Sequence, residues 1–309
     1  MIKFLKKLSL YALIILSICS CFNNMVPDKQ KIKGSVTIQK PIKIGMSAAF
    51  VSTRGMGVYQ KIAGFLSKKL KRPIEFIGKM DYESINSSVK SGRFDLAFIC
   101  GYPYILLKEE NKKISLLVGP VINSTRYQNK PIYFSDLIVK RISEINSIKD
   151  LKGKIWAYNE ELSNSGYNLP RAFMIQNNLN NGYFGKIIRS GAHENSIDYV
   201  RNGTADFSFV DSLILDYELV HDLKLRNEIK IIKSLRPTGV PPLVAASHVN
   251  EKLKNKIIQI LSTMHLDREG LKILKLGNLK RFDKLKDSDY DSIRKAYKVA
   301  TDKDILFIK

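Results

Sequence analysis

The sequence is poor in the residues that build covalent or metal-held frameworks, with three cysteines and four histidines among 309 residues. Three cysteines cannot form a disulfide scaffold, and neither a CxxC pair nor a paired Cys/His spacing predicts a zinc site. Nucleotide signatures are also missing: there is no GxxxxGK[ST], and Gly55-Met-Gly57 lacks the third glycine of a dinucleotide loop. We therefore expect neither a metal nor a cofactor.

Acidic residues are also few. The chain has 29 Asp and Glu against 51 Lys and Arg, which gives a formal charge of +22. Such a charge fits an anionic partner, which could be nucleic acid, a membrane or a small anion, or it reflects a lysine-rich composition alone. Only the charge supports nucleic-acid binding, because no RNP, zinc-finger or homeodomain-like pattern accompanies it. We expect no nucleic-acid partner. The composition is that of a globular protein, and the length allows two lobes.

Long apolar runs are absent too, and the longest candidate is near the start of the chain. Three lysines precede an apolar run over residues 8–18, which is shorter than the ~20 residues of a membrane-spanning helix and is typical of a signal peptide. The Ile-Cys-Ser-Cys stretch that follows resembles a bacterial lipobox with Cys21 as the acceptor. We predict a lipoprotein signal peptide over 1–20, lipidation of Cys21, a flexible tether over 21–39, and export to a membrane surface. A buried core helix is the disfavoured alternative.

Strand and helix patterns alternate along the rest of the chain. Predicted strands cover 41–46, 74–77, 94–100, 115–118, 132–139, 154–158, 187–189, 207–210, 229–234 and 243–246. Predicted helices cover 58–70, 82–90, 166–177, 195–201, 213–221, 251–264 and 289–300. This alternation predicts an α/β fold with largely parallel sheets.

One short internal sequence repeat suggests two related lobes. The block Ser91–Gly101 aligns without gaps on Asn202–Ser212, with Gly, Asp and Phe at matching positions. Each block runs from a helix through a glycine turn into a strand, although chance could produce so short a match. Because ligands in open α/β sheets bind beyond the carboxyl ends of strands, we expect Cys100–Tyr104 and Asp211–Ser212 to face each other across a cleft.

The segment Ser163-Asn164-Ser165-Gly166 combines two hydroxyls and an amide at a predicted helix start. Backbone N–H groups and the helix dipole favour an anion at that position. An ordinary N-cap would use one such residue, and it remains the competing interpretation.

Two further residues fall at ends of predicted elements. His193 could donate an N–H to an oxyanion or become cationic beside one, or it could be an exposed or capping residue. Asp211 could accept a proton from a protonated oxyanion or from a ligand amine. Ser165, His193 and Asp211 could also form a hydrolase triad, but no GxSxG elbow accompanies them, and we expect no enzymatic activity.

Together these motifs resemble the phosphate/phosphite/phosphonate substrate-binding proteins of ABC importers, over roughly residues 40–270. The matching motifs are Gly92-x-x-Asp95-x-Ala97-Phe98 with Tyr102 and Tyr104, Ser163-Asn164-Ser165-Gly166-Tyr167-x-x-Pro170, Gly191-x-His193-Glu194-x-Ser196-Ile197 with Val200, Gly203 and Asp206, and Val210-Asp211-Ser212.

The resemblance implies a type II periplasmic-binding-protein fold: two lobes, each a mixed and mostly parallel sheet flanked by helices, with the ligand cleft between them. It implies oxyanion binding by Ser163, Asn164, Ser165 and His193. It also implies an aromatic contact from Tyr102 or Tyr104, a carboxylate contact from Asp211, and a first-lobe contact from Ser47 or Ser52.

The implied organisation divides the chain into lobe 1 over 40–136 and 238–309 and lobe 2 over 137–237. The hinge crossings are expected near 136–142 and 234–240. The implied partners are a small anionic ligand, an ABC permease in the membrane and, through the lipid anchor, the membrane itself, for a monomeric protein. A sensory or adhesive lipoprotein that reuses the fold is the alternative.

Two departures from the family pattern affect the choice of ligand. Asn164 stands where the family often has Thr, so an amide replaces one hydroxyl. Glu160 and Glu161 would repel an anion unless they point away or contact a cationic substituent. An amine-bearing phosphonate, phosphite and phosphate all remain open.

Overall fold

The computed structural model describes residues 39–47, 52–179, 181–305 and 308. The predicted signal peptide over 1–20, the predicted lipid acceptor Cys21 and almost all of the predicted tether lie outside these residues. The elements below all belong to the unit over residues 40–309.

The strands were numbered in chain order. They are β1 Ile42–Ser47, β2 Ile74–Met80, β3 Leu96–Phe98, β4 Ser115–Ile122, β5 Ile132–Tyr133, β6 Ser135–Lys140, β7 Ile155–Tyr158, β8 Lys186–Arg189, β9 Phe207–Asp211, β10 Ile229–Ser234, β11 Thr238–Gly239, β12 Leu243–Ala245 and β13 Leu279–Lys284.

The α-helices are α1 Thr53–Leu70, α2 Tyr82–Lys90, α3 Gly101–Glu110, α4 Leu169–Gln176, α5 His193–Asn202, α6 Ser212–His221, α7 Leu225–Glu228, α8 Glu251–Ser262, α9 Arg268–Leu276 and α10 Asp291–Asp302. A π-helical turn covers Asn164–Asn168, and 3₁₀ turns cover Thr125–Tyr127, Ile148–Leu151, Met264–Leu266 and Asp287–Tyr290. Among the described residues, no helix is both long and apolar enough to cross a membrane.

The strands form two large sheets. The first sheet has the order β13-β4-β12-β3-β1-β2, and the second has the order β10-β6-β9-β7-β8. Strands that a helix connects within one sheet run in the same direction, as crossover connections require. The mixed α/β arrangement predicted from the sequence is confirmed: most strands of each large sheet point the same way, with four parallel and five antiparallel neighbouring pairs.

The strands that the chain enters directly from the other sheet, β12 and β6, run against both of their neighbours. β12 lies antiparallel between β3 and β4, and β6 lies antiparallel between β9 and β10. With no crossover helix before it, each of these strands enters its sheet in the opposite direction.

The two crossings between the sheets also pair with each other. β5 in the first crossing and β11 in the second form a two-stranded antiparallel sheet. The expected first hinge near 136–142 is wrong, because most of that range is β6 inside the second sheet. The crossing comes earlier and breaks the predicted single strand 132–139 at Phe134. The second expected crossing, near 234–240, contains β11.

The prediction assigned all of 238–309 to lobe 1, but the last described part of this segment packs against the second sheet. Ile293 of α10 lies against Gly101 of the first half, whereas Ile308 packs into the smaller buried cluster around Trp156 of the second sheet. The Ile308 N–H donates to the Tyr167 hydroxyl at 3.1 Å. The two ends of this segment therefore contact different halves.

The two matching sequence blocks share one backbone arrangement. A glycine in the left-handed region follows each helix, with φ of 75° at Gly92 and 85° at Gly203. The aspartate three residues later accepts a bond of 2.7 Å from a backbone N–H on or beside the neighbouring parallel strand. These pairs are Asp95 with Lys43 and Asp206 with Ile155.

Candidate functional site

The serine-rich segment forms the centre of the candidate site. Ser163 is the N-cap of the π-helical turn, and its Oγ accepts a bond of 3.0 Å from the Gly166 N–H. Ser163, Asn164 and Ser165 are all buried. The N-cap interpretation of this segment therefore holds for Ser163, while Ser165 lies in the first turn with its hydroxyl directed elsewhere.

Gly166 is required here by close packing. A Cβ at this position would lie 1.9 Å from Asn159 Oδ1 and 3.0 Å from His193 Cε1. Any larger residue would push the serine turn away from His193. The glycine therefore allows the turn, Asn159 and the imidazole to lie in one cluster.

His193 connects the serines to the second repeat block. Its Nε2 lies 3.3 Å from Ser163 Oγ and 3.2 Å from Ser165 Oγ, and its Nδ1 accepts a bond of 3.4 Å from the Asp211 N–H. Burial lowers the pKa of His193 to about 3. The imidazole is thus neutral at physiological pH, and because Nδ1 accepts, the proton is on Nε2 and points at the serines. The cationic alternative is disfavoured.

Asp211 ends β9 and caps the next helix. Its Oδ1 accepts a bond of 2.7 Å from the Leu213 N–H. Burial raises the pKa of the Asp211 carboxyl well above its usual range, although the backbone bonds at the helix N-terminus oppose the shift. A carboxyl group in this position can accept or donate a proton, depending on its ionisation.

Asn164 ties the serine turn to both crossings and to the first sheet. Its Nδ2 donates to the Tyr133 hydroxyl at 2.8 Å and to Thr238 Oγ1 at 3.2 Å. Its backbone N–H donates to Cys100 Sγ at 3.4 Å. Where the family often has a hydroxyl, this chain therefore has an amide that contacts the two segments joining the sheets.

The structure places the other candidate residues as follows. Ser47 is buried at the carboxyl end of β1, and Ser52 caps α1 through a bond from the Gly55 N–H. The Tyr104 hydroxyl donates to Asp287 at 2.5 Å, and its ring packs on Tyr290. The Tyr104 hydroxyl is therefore engaged by a partner outside the serine cluster.

Tyr102 is the other aromatic residue expected to contact the ligand. Its ring packs against Tyr297, with 5.5 Å between the ring centroids. Arg171 lies close enough to oppose the rise that burial causes in the pKa of Tyr102. The structure therefore places Tyr102 beside α10 and Arg171.

Two residues that the sequence did not single out belong to the cluster. The Tyr82 hydroxyl and both amide atoms of Asn159 are buried with no hydrogen-bond partner among the described residues. Burial, and then the proximity of Cys100, Glu160 and Asp211, raises the pKa of Tyr82. Because buried polar groups are nearly always bonded, such groups beside a polar turn indicate a ligand position. Tyr82 follows Asp81 and looks like an ordinary helix start, so no local signal marks it.

The two glutamates near the serines point at other partners. Glu160 accepts a bond of 3.4 Å from the Tyr82 N–H and lies 3.6 Å from Arg189. Glu161 accepts from the Tyr158 hydroxyl at 2.7 Å and lies 3.3 Å from Arg189. Their charge is therefore directed at Arg189 and a helix N-terminus rather than at the serines.

The electrostatics suit an anion without a cationic side chain. α5 starts at His193 behind an Ala192 N-cap that offers no side-chain acceptor, so its first N–H groups have no capping side chain. The serine turn and α6 place further N–H groups nearby. Within the described part of the chain, no group of three His, Cys, Asp or Glu could hold a metal ion.

Two mixed sheets joined by two crossings, with the polar cluster where strand ends and helix starts from both sheets meet, define a periplasmic binding protein of the type II class. The family follows from a match of residues 44–290 to the model for "ABC transporter, phosphonate, periplasmic substrate-binding protein". The chain belongs to this family. It is a substrate-binding protein of a transporter and not an enzyme.

Known proteins agree with this assignment. The phosphate-import protein PhnD of Mycolicibacterium smegmatis is 25% identical over 224 residues, which are 69% of this chain and 67% of that protein. PhnD1 from Prochlorococcus marinus, solved with methylphosphonate, matches with a TM-score of 0.76 at 19% identity, over 86% of this chain and 99% of that one. A binding protein component of an ABC phosphonate transporter from Pseudomonas aeruginosa matches with a TM-score of 0.73 at 18% identity, over 84% and 86%. At these identities the two structures support the fold alone.

Proposed function

We propose that this chain binds a small phosphorus oxyanion, which is a phosphonate, phosphite or phosphate, in a cleft between the two sheets. The observation that carries the proposal is the neutral donor set of Ser163, Ser165 and His193. The buried Tyr82 hydroxyl, near Asp211, supports it because it has no hydrogen-bond partner among the described residues. Hydroxyl, imidazole and helix N-terminal N–H donors bind an oxyanion without a Lys or Arg. Asp211 adds an acceptor for a ligand that retains a proton.

In this proposal the two lobes are the two sheets with their helices, and the paired crossings β5 and β11 form the hinge. Contacts between Asn164 and Cys100, and between Glu160 and Tyr82, join the lobes in the closed state. A ligand that both lobes contact shifts the population toward this state.

The protein would act outside the cytoplasm as a monomer. Export by the signal peptide over 1–20 and lipidation at Cys21 would hold it on a membrane beside its ABC permease. The excess of lysine would lie on the surface, where it could steer anions. The site itself would take its preference from uncharged donors.

A thermal-shift screen of the purified chain tests the proposal. We expect stabilisation by phosphate, phosphite or phosphonates and none by sulfate at equal concentration, since a ligand that binds only the folded state raises Tm. Stabilisation by none of the phosphorus compounds would contradict the proposal.

A further inference from the structure

An apolar cavity of about 50 Å³ lies between α1 and the start of α6, the helix that Asp211 caps. We call it the apolar chamber. Its apolar walls come from α1, α6, the end of β4 and the start of β13, and include Val58, Tyr59, Ile122, Leu213, Ile214 and Leu279. It therefore has walls from both halves of the molecule.

Asp211 connects the apolar chamber to the oxyanion donors. The Asp211 N–H donates to His193 Nδ1, and Asp211 caps the helix whose second and third residues are Leu213 and Ile214. Tyr59 lies near the same carboxyl group, which together with burial raises the pKa of its phenol. A group bonded at the serine–histidine cluster and extended past Asp211 would thus enter the apolar chamber.

None of the described residues that line the apolar chamber carries a charge. The nearby carboxyl of Asp211 already uses Oδ1 to cap α6. Transfer of an ammonium group into such a space costs its hydration, and the nearby Asp211 carboxyl favours the neutral acid, because burial raises its pKa well above the usual range. The apolar chamber therefore disfavours a cationic substituent and favours a hydrocarbon one.

We propose that the apolar chamber holds the organic substituent of a phosphonate, so that the chain selects small alkylphosphonates over aminoalkylphosphonates. This rests on the proposed function, because the phosphorus oxyanion must bind first. It names one ligand class among those that the site chemistry leaves open.

Calorimetric titration of the full chain with a homologous series tests the selection. Along methyl-, ethyl- and propylphosphonate we expect affinity to rise about fourfold per carbon until the apolar chamber is full. 2-Aminoethylphosphonate has as many heavy atoms as propylphosphonate and should bind at least about tenfold more weakly.

A filling variant and a matched control locate the effect. Leu213→Phe should reduce ethylphosphonate binding by at least about tenfold while leaving phosphite binding within about threefold of wild type. Leu219→Phe makes the same change at a half-buried position of the same helix that does not line the apolar chamber, and it should change neither ligand.

Three results would overturn the inference. The first is phosphite binding with no gain along the alkyl series. The second is 2-aminoethylphosphonate binding as tight as that of its alkyl counterpart, and the third is an equal loss of both ligands in Leu213→Phe. Failure of every phosphorus compound to bind the wild-type chain would instead contradict the proposed function, and the inference with it.

Discussion

The two repeat blocks, Ser91–Gly101 and Asn202–Ser212, share a backbone but not a chemistry. In both, a glycine with positive φ ends a helix and an aspartate is bonded to a backbone N–H at or beside the neighbouring strand. The residue that caps the following helix differs. Cys100 caps α3 without a side-chain bond, whereas Asp211 caps α6 through its carboxyl group.

That one difference separates the structural role of the first block from the proposed ligand-binding role of the second. Burial raises the pKa of the Cys100 thiol to about 11, so it is a neutral acceptor for the Asn164 N–H. Asp211 instead contacts His193 and its own helix. The same backbone thus supports a contact between the two sheets in the first block and, in the proposed site, ligand binding in the second.

The largest expected effect is on ligand affinity, and it distinguishes the two histidines that contact these blocks. His193 accepts from the Asp211 N–H, and His248 Nε2 lies 2.8 Å from Asp95 Oδ1. We expect His193→Ala to lower the affinity for the phosphorus oxyanion at least about tenfold, since a bond to a charged group contributes roughly 1.5–3 kcal/mol. His248→Ala should leave affinity unchanged. Calorimetric titration measures both, and equal losses would contradict the division between the blocks.

Ser165→Ala tests the serine turn on its own. Its Oγ lies 3.2 Å from the donor Nε2 of His193, and we expect its removal to lower affinity about tenfold. Ser87→Ala, at an exposed position of α2, is the control. Wild-type affinity in both Ser165→Ala and His193→Ala would contradict the site assignment.

Alanine at Gly92 and at Gly203 tests whether the two glycine turns contribute equally to stability. A side chain in the left-handed region costs roughly 1–2 kcal/mol, so both variants should lower the free energy of unfolding. Gly92→Ala should cost more, because its Cβ would lie 3.2 Å from His248 Nδ1 whereas Gly203 faces open space. Urea unfolding measures both, and neither change should alter affinity in the folded protein.

The smallest effect concerns Glu160, which connects the two halves. Burial raises the pKa of Glu160 to about 7, above its ordinary value of 4.5. The folded state therefore favours the neutral acid, so this contribution to stability is full at pH below about 4.5 and is lost as pH rises through about 7.

Glu160→Gln should accordingly flatten the dependence of stability on pH between about 5 and 8. Urea midpoints at the two ends of that range measure the slope. Glu161→Gln should reduce the slope only in part, because the Glu161 charge adds to the larger effect of burial on the pKa of Glu160. An unchanged slope in Glu160→Gln would contradict the raised pKa.

Local patterns in the sequence were sufficient to predict many of the helices and strands. The helix over 82–90 and the strand over 229–234 have the predicted bounds. The helix Gly101–Glu110 was missed because most of its residues are buried, so it lacks the polar face that marks a surface helix. The segment over 268–284, a helix followed by an edge strand, was also missed.

The site was only partly predictable for a different reason. Ser163, Ser165, His193 and Asp211 follow strands of one sheet, and a strand-end argument brings them together as the structure does. Tyr82 comes from the other sheet, more than 80 residues earlier in the chain. Its place beside Asp211 depends on how the two halves meet, which no local pattern encodes.

The reversed strand β12 determines the order in which this protein can be completed. β3 and β4 do not pair with each other; each pairs with β12, which the chain supplies only after the entire second sheet has been made. A nascent first half therefore has an unfilled gap at the centre of its sheet until residue 245 is available. Pairing over such a separation is slow and leaves strand edges exposed. If the predicted signal peptide exports the chain unfolded, this delay would be an advantage, because the amino-terminal half could not finish folding early.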